Sequence, residues 1–393
     1  MRGGTILASI NVEIGGVLLF CDQSLIKLNI GHGYVIEKCN MNDLFYKSKL
    51  SYEDHDLLID YHESAITTGT DRYFMCLKKK DVFEGDIKKE IQSIQGIKNP
   101  VFFGTLIDQY KKQECDYLYM IFQLMRIFKT GNFGPMEIFF MFDSQPMPIL
   151  HQKYNIRYIY SGRNVFKSSL FSLDNNEVLE CQQFLKKYSG EPYRLLELPI
   201  RQFFSGLEKI GENGGYLEFM TALEMLLVNE KDGTKQLLAN RIAVLLGKSS
   251  EDKLSYYNKI KEHYYKRSKL IHEGIAKGFS SDDVIELEEI TRNIIKICLE
   301  RCYIELKLNP SINWKNIKSS MIKDLRVTVK KAQDDGVLPI TEDKKKCQQN
   351  RSYLCLTNVS LRRLRSSIKG ELSSGKMTNV SLKRCLKKSI SRM

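Results

Sequence analysis

The sequence has little with which to cross a membrane, hold a metal ion or lock itself with disulfides. Its longer apolar runs, such as Val17–Cys21 and Ile138–Phe142, are five residues each, far below the 18 or more that a membrane-spanning helix needs. Near the N-terminus Arg2 is followed by Asn11 and Glu13, which interrupt any signal-like apolar core. These absences predict a soluble, cytoplasmic protein without a membrane partner. The ten cysteines are scattered, no two have Cys-x2-Cys spacing, and no Cys/His set has the spacing of a zinc site. Cys298 and Cys302 lie one helical turn apart. Reduced thiols are expected, with no metal and no cofactor.

The first 343 residues also lack a net charge. From Lys344 to Met393 there are 14 Lys and Arg against one acid, Glu371, which accounts for the whole formal charge of +13. Residues 1–343 therefore balance, and nothing global in them marks a nucleic-acid binder. The tail from Lys344 reads as a disordered basic arm, with RNA contact as the alternative, because neutralising phosphate requires only charge. It carries one internal repeat, Thr357–Arg363 and Thr378–Arg384, 21 residues apart.

What is present is a change of pattern along the chain. Short β-favouring runs come first: Val17–Cys21, Tyr34–Lys38, Tyr73–Lys78 and Pro100–Leu106, punctuated by Gly, Asn and Asp. Tyr117, Met120, Ile121, Leu124, Ile127 and Phe128 then recur at helical spacing within Cys115–Lys129, and Met136–Phe142 and Ile156–Tyr160 read as strands. Residues 1–195 are thus expected to form an α+β sensing or regulatory domain, and no chemistry is evident in it. Helical patterns follow at Pro199–Ile210, Tyr216–Val228 and Thr234–Leu246. Ser249 with Asp252 is a capping-box signature for a fourth helix running to about Leu270, and Asp282–Asp283 opens a fifth. Residues 196–306 are expected to be an all-α bundle, residues 307–343 a short helix and linker, and residues 344–393 the basic tail. Gly247-Lys248-Ser249 resembles the end of a phosphate loop, but a helix precedes it where a strand is needed, so it reads as a helix C-cap.

One cluster concentrates reactive groups, namely His263-Tyr264-Tyr265-Lys266-Arg267-Ser268-Lys269-Leu270-Ile271-His272-Glu273-Gly274. On a helix His263 and Tyr264 precede Arg267 by four and three residues and share its face. His272 falls near the helix end, where its imidazole could project beside Arg267. A guanidinium holds a phosphate through two hydrogen bonds, and a histidine moves protons near neutrality. Together they supply what cleavage of RNA by its own 2′-hydroxyl needs, without a metal. With 18 Arg and six His, about 0.3 Arg-x4-His pairs arise by chance in a chain of this length, so the spacing needs its context.

The context is a series of motifs. Leu223-Glu224-Met225-Leu226-Leu227 falls on the second helix of the bundle and Asn240-Arg241-Ile242-Ala243-Val244-Leu245-Leu246 on the third. The Tyr264–Gly274 stretch, of form Tyr-x2-Arg-Ser-x2-aliphatic-His-x-Gly, falls on the fourth. In order and placement, residues of about 196–306 resemble a HEPN domain, most closely the Apea-like branch. The resemblance implies a metal-independent endoribonuclease, often a defence or toxin-type effector, acting as a homodimer with two sites facing each other. It gives Arg267 and His272 the catalytic positions, Ser268 the polar position after the arginine, and Glu224 and Arg241 the supporting Glu and Arg. By themselves Glu224 and Arg241 read as a buried pair bracing the bundle, with a site-shaping role as the alternative. A non-catalytic HEPN module that binds RNA or a protein partner is the alternative for the whole protein, and a structural scaffold is a third.

Overall fold

The computed structural model describes residues 7–40, 73–86, 103–131, 133–143, 154–156, 171–209, 215–229, 234–273 and 280–339. The strands are β1 (Leu7–Leu19), β2 (Val35–Asn40), β3 (Tyr73–Asp86), β4 (Gly134–Asp143) and β5 (Tyr154–Ile156). They form one antiparallel sheet in the order β2-β3-β1-β4-β5. Alternation along the strands gives the sheet one apolar face. Val12, Ile14 and Leu18 of β1, Ile36 of β2, Met75 and Leu77 of β3, and Ile138 and Phe140 of β4 are all buried in one core. That core includes Leu118, Ile121, Leu124 and Met125 of α1 (Phe103–Phe128).

Helix α1 starts where Pro100–Leu106 was expected to be a strand. The short apolar run is ambiguous alone, but Phe103, Leu106 and Tyr110 continue backwards the helical spacing that Tyr117 and Leu124 belong to. The strand expected at Ile156–Tyr160 occupies Tyr154–Ile156, and the remainder of that stretch lies outside the described residues.

The other helices are α2 (Asn175–Tyr188), α3 (Glu191–Leu195), α4 (Glu197–Leu207), α5 (Tyr216–Leu227), α6 (Thr234–Leu246), α7 (Ser250–Glu273), α8 (Ser281–Leu308) and α9 (Trp314–Asp334). Several of their ends follow from local chemistry. Ser249 and Asp252 close a reciprocal box at the start of α7, with N–O distances of 3.1 and 3.3 Å. Ser280 and Asp283 do the same for α8. Gly215, with φ +81°, admits no side chain, since a Cβ there would lie 2.2 Å from the Gly206 carbonyl oxygen. Tight packing of α4 on α5 therefore requires glycine at this turn.

Residues 1–195 and 196–306, set apart on sequence, share one hydrophobic core. It runs from the sheet through α1 to Phe203 of α4, Phe219 and Leu223 of α5, Ile242 of α6, Ile260 of α7 and Ile294 of α8. A buried arginine ties the two parts together. Arg292 of α8 donates to the Arg126 carbonyl of α1 at 3.0 Å and to Thr130 Oγ1 at 2.9 Å, and also holds Glu288. The described residues as far as Leu338 belong to one compact unit. The expected short helix after residue 307 is instead 21 residues long. Ile317, Met321, Leu325, Val329 and Ala332 repeat every three or four residues and bury one face of α9. The basic tail and its repeat lie outside the described residues. Among the described residues no helix is long and apolar enough to cross a membrane.

Candidate functional site

Helix α7 carries the reactive cluster, and its neighbours decide what each side chain does. Arg267 reaches across to α5 and forms a two-pronged pair with Glu224, Nη1 to Oε1 at 2.7 Å and Nη2 to Oε2 at 3.1 Å. Both side chains are about one-fifth exposed, at 20% each. The ring of Tyr264, one turn back on α7, lies 5.5 Å from the guanidinium carbon. Burial pushes the Glu224 carboxyl above the ordinary carboxylate range, against the opposing pull of Arg267 and a hydrogen bond from Tyr264. Of the five N–H donors of a guanidinium, the pair uses two, and the buried Nε of Arg267 has no hydrogen-bond partner.

This arrangement corrects the expected pairing. Glu224 makes its fork with Arg267 of α7, not with Arg241 of α6. Arg241 is almost wholly buried and its Nη1 donates to the Leu227 carbonyl at the C-terminal end of α5, where the last carbonyls of a helix lack partners within it. It supports the helix that carries Glu224.

His263 also departs from expectation. It is buried, at 2% exposure, and turns away from Arg267. Its Nδ1 lies 2.8 Å from Tyr216 Oη of α5, and its Nε2 lies 3.1 Å from Glu286 of α8. The Tyr216 hydroxyl is also 2.9 Å from the carbonyl oxygen of His263. Lys259 holds the other oxygen of Glu286. Burial lowers the imidazole pKa below its usual value, opposed by Glu286. The carbonyl oxygen only accepts, so the Tyr216 hydroxyl donates to it, and the donor and acceptor roles of the two ring nitrogens towards Tyr216 Oη and Glu286 depend on the tautomer. His263 is thus a buried joint between α5, α7 and α8.

Ser268 is exposed. His272 belongs to the last turn of α7, which stays helical through Glu273; its side chain and Gly274 lie outside the described residues. The helix therefore continues through His272 to Glu273, a little beyond the end expected at about Leu270. At about 100° per residue, a position five after Arg267 is rotated about 140° from it around the helix axis. The structure thus brings Arg267, Tyr264 and Glu224 together, places His263 in the adjacent interior and leaves Ser268 on the surface.

A second polar cluster lies in the sheet region, where the sequence offered no chemistry. Lys79 of β3 bridges Asp81 at 2.7 Å and Glu114 of α1 at 2.9 Å. The Tyr34 hydroxyl donates to Glu114 at 2.6 Å and that of Tyr110 to Asp81 at 2.8 Å. The ion pairs outweigh burial to raise the Lys79 pKa and lower that of Asp81. With both carboxylates hydrogen-bonded, Asp81 Oδ1 accepting from the Val82 N–H as well, the cluster ties the sheet to α1. Residues 34, 79 and 114 are too far apart in sequence for any local pattern to announce the contact. Among the described residues no group of three His, Cys, Asp or Glu is placed to hold a metal ion.

No family model, curated protein or solved structure was found to match the chain.

Proposed function

We propose that this protein is a metal-independent endoribonuclease of the HEPN type, with its site at the Arg267 end of α7. The observation that carries the reading is the Arg267–Glu224–Tyr264 arrangement. It holds a guanidinium in one orientation, partly exposed, with N–H donors beyond the two that Glu224 uses. In the proposed reaction the 2′-oxygen of a ribose attacks the adjacent phosphorus and the bond from phosphorus to the 5′-oxygen breaks. A base takes the 2′ proton and an acid returns one to the departing 5′-oxygen. Arg267 binds the phosphate oxygens as charge builds on them, and His272 serves as acid or base. Two copies with facing sites would supply two histidines, one for each proton transfer. The setting we propose is cytoplasmic, with a defence or toxin-type role and a sheet region that senses or restrains.

The test is expression in a bacterial host. Wild type should arrest growth, whereas Arg267→Ala and His272→Ala should each be tolerated at equal protein levels. Arrest by both variants would sink the proposal. One observation favours a second reading. Glu224 already occupies the fork of Arg267, as it would if the pair were only a brace in a non-catalytic module that binds RNA or a protein. That reading predicts RNA binding without cleavage even at high protein concentration.

A further inference from the structure

We infer that the exposed face of α9 is a docking surface for the phosphate backbone of a nucleic acid, distinct from the Arg267 site. The inference does not rest on cleavage. Helix α9 buries Ile317, Met321, Leu325 and Val329 and turns Lys315, Lys323, Arg326, Lys330 and Lys331 to solvent. Positions 315, 319, 323, 326 and 330 fall within an arc of about 80° on a helix, and Lys331 lies about 80° beyond that arc, still on the exposed side. Between Lys315 and Lys330 this face is about 22 Å long, at 1.5 Å per residue. That matches about six nucleotides at 3.4 Å each.

Asp324 pairs with Arg301 at 3.0 Å, and Asp334 and Asp335 follow Lys330 and Lys331 at the C-terminal end of the helix; against these the five exposed bases leave the face net positive. Lys315, Lys323, Lys330 and Lys331 have no ion-pair partner among the described residues. This concentration stands out because residues 1–343 carry no net charge. Lys318, on the packed side of α9, donates to the Met225 carbonyl at 2.6 Å, which fixes α9 to the C-terminal end of α5.

The chemistry favours a phosphodiester strand over a lipid surface. Helices that lie on membranes insert an apolar face, and here that face is packed in the core, leaving Val327 as the exposed large apolar residue. The hydroxyls of Ser319 and Thr328 donate back to the carbonyls of Lys315 and Asp324. Charge dominates this face, so binding should be largely indifferent to base sequence.

The experiment measures binding of the full chain to a fluorescent 20-nucleotide 2′-O-methyl RNA, which has no 2′-hydroxyl to attack, from 50 to 200 mM salt. Replacing Lys315, Lys323, Lys330 and Lys331 together by Gln should reduce the slope of log K against log salt by about 0.7 per lysine. Affinity at 100 mM salt should fall on the order of 30-fold or more. The same four changed to Arg should bind like wild type. Removing four exposed lysines elsewhere, Lys80, Lys112, Lys186 and Lys248, should change the slope far less. The pairs Lys315/Lys323 and Lys330/Lys331, changed separately, should each account for about half the loss. Equal losses in the two fourfold Gln variants, or none in the α9 variant, would overturn the inference. So would vesicles of phosphatidylserine and phosphatidylcholine that bind through these lysines while the RNA does not.

Discussion

Arg267→Met and Glu224→Gln remove the two halves of one pair, yet they should have unequal costs. In Arg267→Met the Glu224 carboxylate keeps its charge and loses both charged donors, at 2.7 and 3.1 Å. Removing one partner of a fully buried pair costs about 3–5 kcal/mol. Since these side chains are 20% exposed, solvent screens part of that, and about 2–3 kcal/mol is expected at pH 7.5. In Glu224→Gln the shape stays and the carboxylate charge goes. Burial already outweighs Arg267 in setting the Glu224 pKa above the ordinary range, so the site gains little from that charge, and the change should cost within about 1 kcal/mol. The pH dependence follows with a definite sign. A carboxyl with a raised folded pKa contributes stability that is fully present below its unfolded pKa and is lost as pH rises through its folded pKa. Without Arg267 the folded pKa rises further, so the Arg267→Met penalty should shrink at pH 5.5 as Glu224 takes up a proton. Urea unfolding of both variants and the double variant at pH 7.5 and 5.5 measures this, and the double variant should recover most of the loss. Equal costs for the two single variants, or an Arg267→Met penalty that does not change with pH, would refute the reasoning.

Two further outcomes concern the interior beside the site. Tyr216→Phe removes the hydroxyl that faces His263 Nδ1 and the His263 carbonyl oxygen and should cost about 1–2 kcal/mol in urea unfolding. Burial lowers the His263 pKa, so its neutral form contributes stability above the ordinary histidine pKa that is lost as pH falls through the folded value. Histidine NMR should therefore show His263 titrating below an exposed imidazole. Gly215→Ala combines a positive φ with a Cβ 2.2 Å from the Gly206 carbonyl oxygen and should lower stability by at least about 2 kcal/mol. A thermal midpoint equal to that of wild type would contradict it.

Much of the helical half was legible because its signals are local. The Ser249–Asp252 box, the Asp282–Asp283 start and the stripes of α5, α6 and α8 all lie within a few residues of what they specify. The short apolar run Pro100–Leu106 has no period of its own, and from Phe103 it is helix where a strand was expected. The Asp174–Glu177 box that opens α2 is as local as the box at Ser249, with Glu177 N to Asp174 at 2.8 Å and Asp174 N to Glu177 at 3.0 Å. The partners of the site residues were another matter. Arg267 finds Glu224 43 positions away, and His263 finds Tyr216 at 47 and Glu286 at 23. Which of two helical arginines meets Glu224 depends on how α6 and α7 rotate about their axes. Their apolar patterns fix that rotation only to within a broad stripe.

The claim that Arg267 and His272 cleave RNA is tested most directly by incubating the purified protein with a defined single-stranded RNA in EDTA and mapping the ends. Wild type should yield fragments with a 2′,3′-cyclic phosphate and a 5′-hydroxyl, and His272→Ala should leave the RNA intact. An RNA left whole by wild type, or cut equally well by His272→Ala, would contradict the account.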